Sequence, residues 1–144
     1  KQGRTKEAAK AVEKGSKSGK ATTEALERMG AQQMKAKQYD AALKTYRQLA
    51  AVESRRGLAY ANMGTIYGIK GQTEKAIENL KLAVRYDKED EGSWFALGEA
   101  YEKKKMYKEA LEAYKAAYQI NPESRAAERI PQLRIRMLED KHRE

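Results

Sequence analysis

Apolar residues recur along this chain at three- and four-residue steps, the phasing of helices with one buried face. Over residues 91–104, Trp94, Leu97 and Tyr101 share a face; over 107–120, Tyr107, Ala110, Leu111, Tyr114, Ala117 and Tyr118 share another. The same phasing predicts helices over 23–36, 39–53, 57–70 and 73–86. Lys70-Gly71-Gln72 reads as a turn, with Thr73 as the N-cap of the helix after it. Asn121-Pro122 ends the helix before it, because proline cannot continue the hydrogen-bond ladder and restrains its predecessor. A last stripe of Ala126, Ile130, Leu133 and Met137 predicts a helix over 124–142, with Arg129, Arg134, Arg136, Glu139 and Asp140 on its wet face. Pro131 inside that stripe should kink the helix or break it near Ile130.

The helices come in pairs and the pairs repeat. Leu26/Tyr60/Trp94, Met29/Met63/Leu97, Gly30/Gly64/Gly98, Ala42/Ala76/Ala110 and Tyr46/Leu80/Tyr114 stand in columns 34 residues apart. A fixed period of that length marks an all-α solenoid of stacked two-helix units. The units are residues 23–56, 57–90 and 91–124, and residues 125–144 supply the capping helix that a solenoid end requires. The small residues stand where paired helices cross closely, and the large ones fill the space between hairpins.

These columns resemble the tetratricopeptide repeat. The third unit carries Trp94, Leu97, Gly98, Tyr101, Ala110, Tyr114, Ala117 and Pro122 of its signature. The second keeps Tyr60, Gly64, Tyr67, Ala76, Leu80 and Ala83, with Lys88 in the proline column. The first keeps Leu26, Gly30, Ala42 and Tyr46, with Gln33 in the tyrosine column and Ser54 in the proline column. The resemblance covers residues 23–124 and is specific as a set.

Composition agrees with a helical domain with much polar surface: 40% of residues are apolar and 35% charged. No run approaches the roughly 20 apolar residues of a membrane helix, so a soluble chain is expected; the compartment stays open, with a lean to the cytoplasm. The absence of cysteine rules out disulfides and cysteine-based metal or redox sites. A start at Lys1 with no apolar leader reads as an excised domain or a processed chain. The net charge of +9 is uneven: residues 1–20 hold seven cations against two glutamates, while the repeats are nearly balanced. Residues 1–22 read as a basic tail, with Gly15-Ser16-Lys17-Ser18-Gly19 as a flexible link. The alternative is the second helix of a partial upstream repeat, since Ala8 and Val12 fall one period before Ala42 and Tyr46.

Catalytic chemistry has little to work with. His142 is the one histidine and stands among charged residues near the last residue, Glu144. There is no Cys/His pair, glycine-rich phosphate loop or metal-ligand spacing. Asp87, Glu89, Asp90 and Glu91 form a soluble turn between helices. No enzyme activity, cofactor or metal is expected.

The resemblance implies a working surface: the concave groove lined by the first helix of each unit. Carried over, the groove positions are Glu24, Glu27, Arg28, Ala31, Met34 and Lys35 in the first unit. They are Leu58, Ala61, Asn62, Thr65, Gly68 and Ile69 in the second, and Gly92, Phe95, Ala96, Glu99, Glu102 and Lys103 in the third. Ile130 and Leu133 of the cap extend the surface. The candidate peptide site is Arg28, Leu58, Ala61, Asn62, Thr65, Ile69, Phe95, Ala96, Glu99 and Lys103. Phe95 is either an exposed anchor or a residue packed against the cap. Gly68 marks either close approach of a ligand or, as favoured here, tight helix packing.

The expected function is a non-catalytic protein-interaction scaffold that takes a peptide segment into the groove. In some family members a carboxylate clamp grips heat-shock chaperone C-termini. Asn62 matches one clamp asparagine, but Glu27 and Ala31 replace a lysine and an asparagine, and Gly92 and Ala96 a lysine and an arginine. Chaperone tails are therefore not expected partners. Two alternatives remain: attachment of the basic tail to nucleic acid or anionic membrane, and self-association through solenoid ends. Nucleic acid is disfavoured because the tyrosines occupy packing columns and no basic stripe crosses the repeats.

Overall fold

The computed structural model describes residues 17–143, with side chains described from Thr22 onward. Among the described residues there are seven α-helices and no strand: α1 (Lys17–Lys35), α2 (Tyr39–Leu49), α3 (Arg56–Ile69), α4 (Thr73–Tyr86), α5 (Glu91–Lys103), α6 (Tyr107–Ile120) and α7 (Ala126–Arg143). A single 3-10 turn, Glu53–Arg55, precedes α3. The helices pair as α1/α2, α3/α4 and α5/α6, each pair stacks on the next, and α7 closes against α6. No helix among the described residues is long and apolar enough to cross a membrane.

Three tight turns set the hairpins. Lys37, Gly71 and Lys105, one per pair and one period apart, all take positive φ (58°, 76° and 58°). The N–H of the following residue then reaches back to the carbonyls of Gln33, Tyr67 and Tyr101 at 2.8–2.9 Å. This Schellman-type closure satisfies carbonyls that a helix end leaves open. Only Gly71 takes the left-handed conformation freely, while the two lysines hold it against a cost of about 1–2 kcal/mol.

The columns of small residues lie at the helix crossings. A Cβ added to Gly30 would stand 2.7 Å from the Tyr46 ring, at Gly64 2.6 Å from Leu80, and at Gly98 2.5 Å from Tyr114. Each glycine thus receives the large residue 16 positions later, on the partner helix. Tyr46, Tyr67 and Tyr114 are buried, which agrees with tyrosines committed to packing. Where the first unit departs from the tyrosine column, the core compensates: the buried Thr45 hydroxyl donates to Gln33 Oε1 at 2.7 Å. An ion pair repeats with the period too, Lys70 to Asp40 and Lys104 to Glu74. The lysines hold both carboxyls below the usual range, chiefly through a side-chain hydrogen bond.

Several local expectations are corrected. Thr73 is the first helical residue and not the cap; the cap position is Gln72, without a side-chain cap bond. Real side-chain caps stand elsewhere: Asp90 accepts from the Ser93 N–H, and the Ser124 hydroxyl oxygen accepts from the Ala126 N–H. The acidic turn is therefore partly a capping device, and Asp87 also accepts from the Glu89 N–H. α2 stops at Leu49, because the chain tightens into three-residue bonds from Ala51 to Gln48 and from Val52 to Leu49. α7 runs unbroken through Pro131. The proline is on the exposed face early in the helix, and the carbonyl it leaves free belongs to exposed Ala127, within reach of water. Of the expected link, residues 17–19 are helical. Residues 1–16, on which the basic-tail and upstream-repeat readings mostly fall, lie outside the described residues.

Candidate functional site

The first helices α1, α3 and α5 stand side by side, and the two neighbours α3 and α5 touch. Between them, floored by α4, lies a cavity of about 310 Å³. Thr65 and Ile69 of α3 and Ala96, Glu99 and Lys103 of α5 line it, so half of the expected site residues converge on one place. Gly64, Gly68, Thr73, Ala76, Leu80 and Ala100 complete the wall. The floor is of small and aliphatic side chains; the polar groups stand at the rim. Ile69 is 53% exposed.

The other expected residues are placed differently. Leu58 is exposed, and Ala61 and Asn62 are half-buried on the same helix, outside the cavity. The Asn62 amide donates to the Leu58 carbonyl at 2.9 Å, leaving its oxygen to accept. The Thr65 hydroxyl likewise donates to Ala61. Arg28 is exposed on α1. Glu99 is not a free carboxylate: Arg129 of α7 pairs with it at 3.3 Å.

Phe95 requires a correction. It is 4% exposed and belongs to the core beneath the cap, with Ala110, Tyr114, Ala117, Ala126 and Leu133. Its ring meets Tyr114 in a tilted contact at 5.4 Å, and the Arg125 guanidinium lies 4.3 Å over it. Phe95 is thus a packing residue and not a groove anchor, because the cap covers the face on which it emerges. Leu133 is buried in the same core and is likewise removed from the surface; Ile130 is half-buried.

Gly68 requires the opposite correction. A Cβ there would meet nothing within 4 Å. Tight packing does not account for this glycine; it opens the cavity.

The cap holds the third pair through a charged clasp that the sequence pattern did not show. The Tyr114 hydroxyl donates to Glu102 Oε1 at 2.8 Å, and Arg136 faces the other oxygen of that carboxylate at 3.6 Å. Burial, and then the bond to Glu102, push the Tyr114 phenol well above its ordinary value. The signal was available in part: Arg129 and Arg136 stand seven residues apart, close to two turns, on one side of the last helix. Among the described residues no group of acidic or imidazole side chains is arranged to hold a metal ion.

Comparison with known proteins agrees with this architecture. A tetratricopeptide-repeat family model matches residues 92–124, and a second, of TPR repeats, matches 64–105. The human Superkiller complex protein 3 is 38% identical over 66 residues, which is 46% of this chain and 4% of that protein. The Small glutamine-rich tetratricopeptide repeat-containing protein 2 of Mycosarcoma maydis is 28% identical over 102 residues, or 71% of this chain. This chain spans 29% of that relative. Among solved structures, the Sgt2 TPR domain of Aspergillus fumigatus superposes with a TM-score of 0.73 at 28% identity, over 85% of this chain and 82% of that one. The first TPR of Spaghetti (RPAP3), bound to the HSP90 peptide SRMEEVD, gives 0.75 at 17% identity, over 81% and 93%. The Yersinia enterocolitica type III secretion chaperone SycD, in complex with a peptide of the translocator YopD, gives 0.75 at 17%, over 81% and 95%.

Proposed function

We propose that this chain, which belongs to the tetratricopeptide-repeat family, is a non-catalytic interaction scaffold that holds a segment of a partner protein in the concave groove of α1, α3 and α5. The observation that carries this reading is the cavity between α3 and α5, with its apolar floor and exposed Ile69. Two structural neighbours are described with peptides bound, which supports a peptide as the kind of ligand. Substituting Thr65 by arginine and Ile69 by aspartate places charge in the groove on side chains that are exposed, so the fold is expected to survive. Partner capture by that double variant should fall at least about tenfold, a loss of about 1.4 kcal/mol. Undiminished capture by a helical, monodisperse variant would remove the groove as the working surface.

A chaperone C-terminus is not the ligand on this reading. Glu27 stands at a lysine position of the clamp and is already paired with Arg55 at 3.0 Å. A terminal carboxylate brought there finds no clamp lysine to pair with. Titration with SRMEEVD, followed by amide chemical shifts, should give no saturable change in α1 or α3. Saturation at micromolar peptide would contradict this.

A further inference from the structure

We propose that the groove takes a linear segment that seats one aliphatic side chain in the niche over Gly68 and sets an internal acidic side chain against Lys103. The proposal rests on the groove reading above and adds the chemistry of the occupant. Gly68 is the next-to-last residue of α3, a helical position where glycine is worse than alanine by up to about 1 kcal/mol. Gly30, Gly64 and Gly98 have a steric reason for lacking a side chain; Gly68 has none, since nothing lies within 4 Å of an added Cβ. Its column mates, Met34 and Glu102, both carry long side chains. The missing side chain leaves open space in the cavity that Ile69, Ala96 and Ala100 also line. At about 310 Å³ the whole cavity is at the small end of ligand sites, a size suited to a side chain and its neighbours.

Charge selects the rest. Lys70 and Lys104 are neutralised by Asp40 and Glu74, and Glu99 by Arg129. Lys103, on the cavity rim, has no carboxylate partner among the described residues, and neither has Lys35 in the same column. Both lysines end helices, where a cation suits the local dipole, but that role leaves their outward charge unmatched. An aliphatic group over α3 and an acid at α5 are separated by one interhelical spacing of about 8–10 Å. Extended chain covers that in roughly three residues. The segment crosses the carboxyl-terminal ends of the helices, away from Glu27 and Ala31, so it needs no free C-terminus.

The test uses random dodecamers displayed on phage, selected on the immobilised full chain, with binding of the enriched peptides measured by fluorescence anisotropy. Enriched peptides should carry an aliphatic residue with Asp or Glu two to four positions away. The space around an added Cβ at Gly68 is open, so Gly68→Leu puts an aliphatic side chain of its own into the niche; it should keep its helicity and weaken these peptides at least about tenfold. Exchanging the peptide's aliphatic residue for glutamine should weaken binding to the wild type and have little further effect on Gly68→Leu. Lys103→Glu should weaken the acidic peptide and favour its Asp→Lys version. Peptides excluded by Thr65→Arg but bound by Gly68→Leu within twofold of wild type would overturn the niche while leaving the groove intact. Peptides indifferent to both variants, or no enrichment at all, would overturn both readings.

Discussion

Tyr114→Ala is expected to cost about 3–5 kcal/mol, the loss typical of a fully buried large aromatic. The ring is 0% exposed, rests on the bare Gly98 backbone and touches Phe95, so its removal opens a cavity where α5, α6 and the cap meet. The same change leaves Glu102 without its phenolic donor. Domains of this kind are stable by only about 5–15 kcal/mol, so the melting temperature should fall on the order of 10 °C. A pH dependence separates the packing from the polar contribution. The Tyr114 proton is held more tightly in the folded state than in the unfolded chain, where phenols titrate near about 10. Its contribution is therefore complete below about pH 10 and is lost as pH rises beyond that. Tyr114→Phe should keep most of the neutral-pH stability and flatten the alkaline loss between about pH 10 and 11. An alanine variant that melts within 2–3 °C of wild type would show that the crossing does not hold the third pair together.

The second large effect is a reversal of sign between two glycines of the same kind of helix. Alanine at Gly98 would put a methyl 2.5 Å from a ring that is buried on all sides. Overpacking of that sort costs about 1–3 kcal/mol, more than the roughly 1 kcal/mol that helix propensity returns. Alanine at Gly68 meets no atom and keeps the propensity gain, so it should stabilise the chain by up to about 1 kcal/mol. Urea denaturation of the two variants measures the difference directly. Two changes of the same sign would mean that Gly98 is not at a tight crossing, or that Gly68 is not open.

The contrast also shows what the amino-acid pattern could disclose. Gly30, Gly64 and Gly98 were legible because a steric demand recurs with the period and its partner, 16 residues on, recurs with it. Helix starts at Tyr39, Thr73, Glu91 and Tyr107 were legible for the same reason. Phe95 was legible only as two readings, groove anchor or packed against the cap, and the structure takes the second. Arg125 lies over its ring, and Ser124 caps the head of the helix that covers it. Gly68 was read as a packing glycine because a missing side chain looks alike in sequence whether a neighbour fills the space or nothing does. The site itself was half legible. Thr65, Ile69, Ala96, Glu99 and Lys103 meet at one cavity, whereas Glu99 turned out to be neutralised by a cap arginine.

The most direct measurement places a photo-crosslinking phenylalanine derivative at one of two positions and exposes each protein to lysate of its native source. One position is Ile69, in the groove; the other is Tyr118, exposed on α6 and outside the cavity lining. Crosslinked partners recovered from the Ile69 protein and absent from the Tyr118 protein are the predicted result. Partners recovered from Tyr118 alone, or equally from both, would contradict a working surface in the groove.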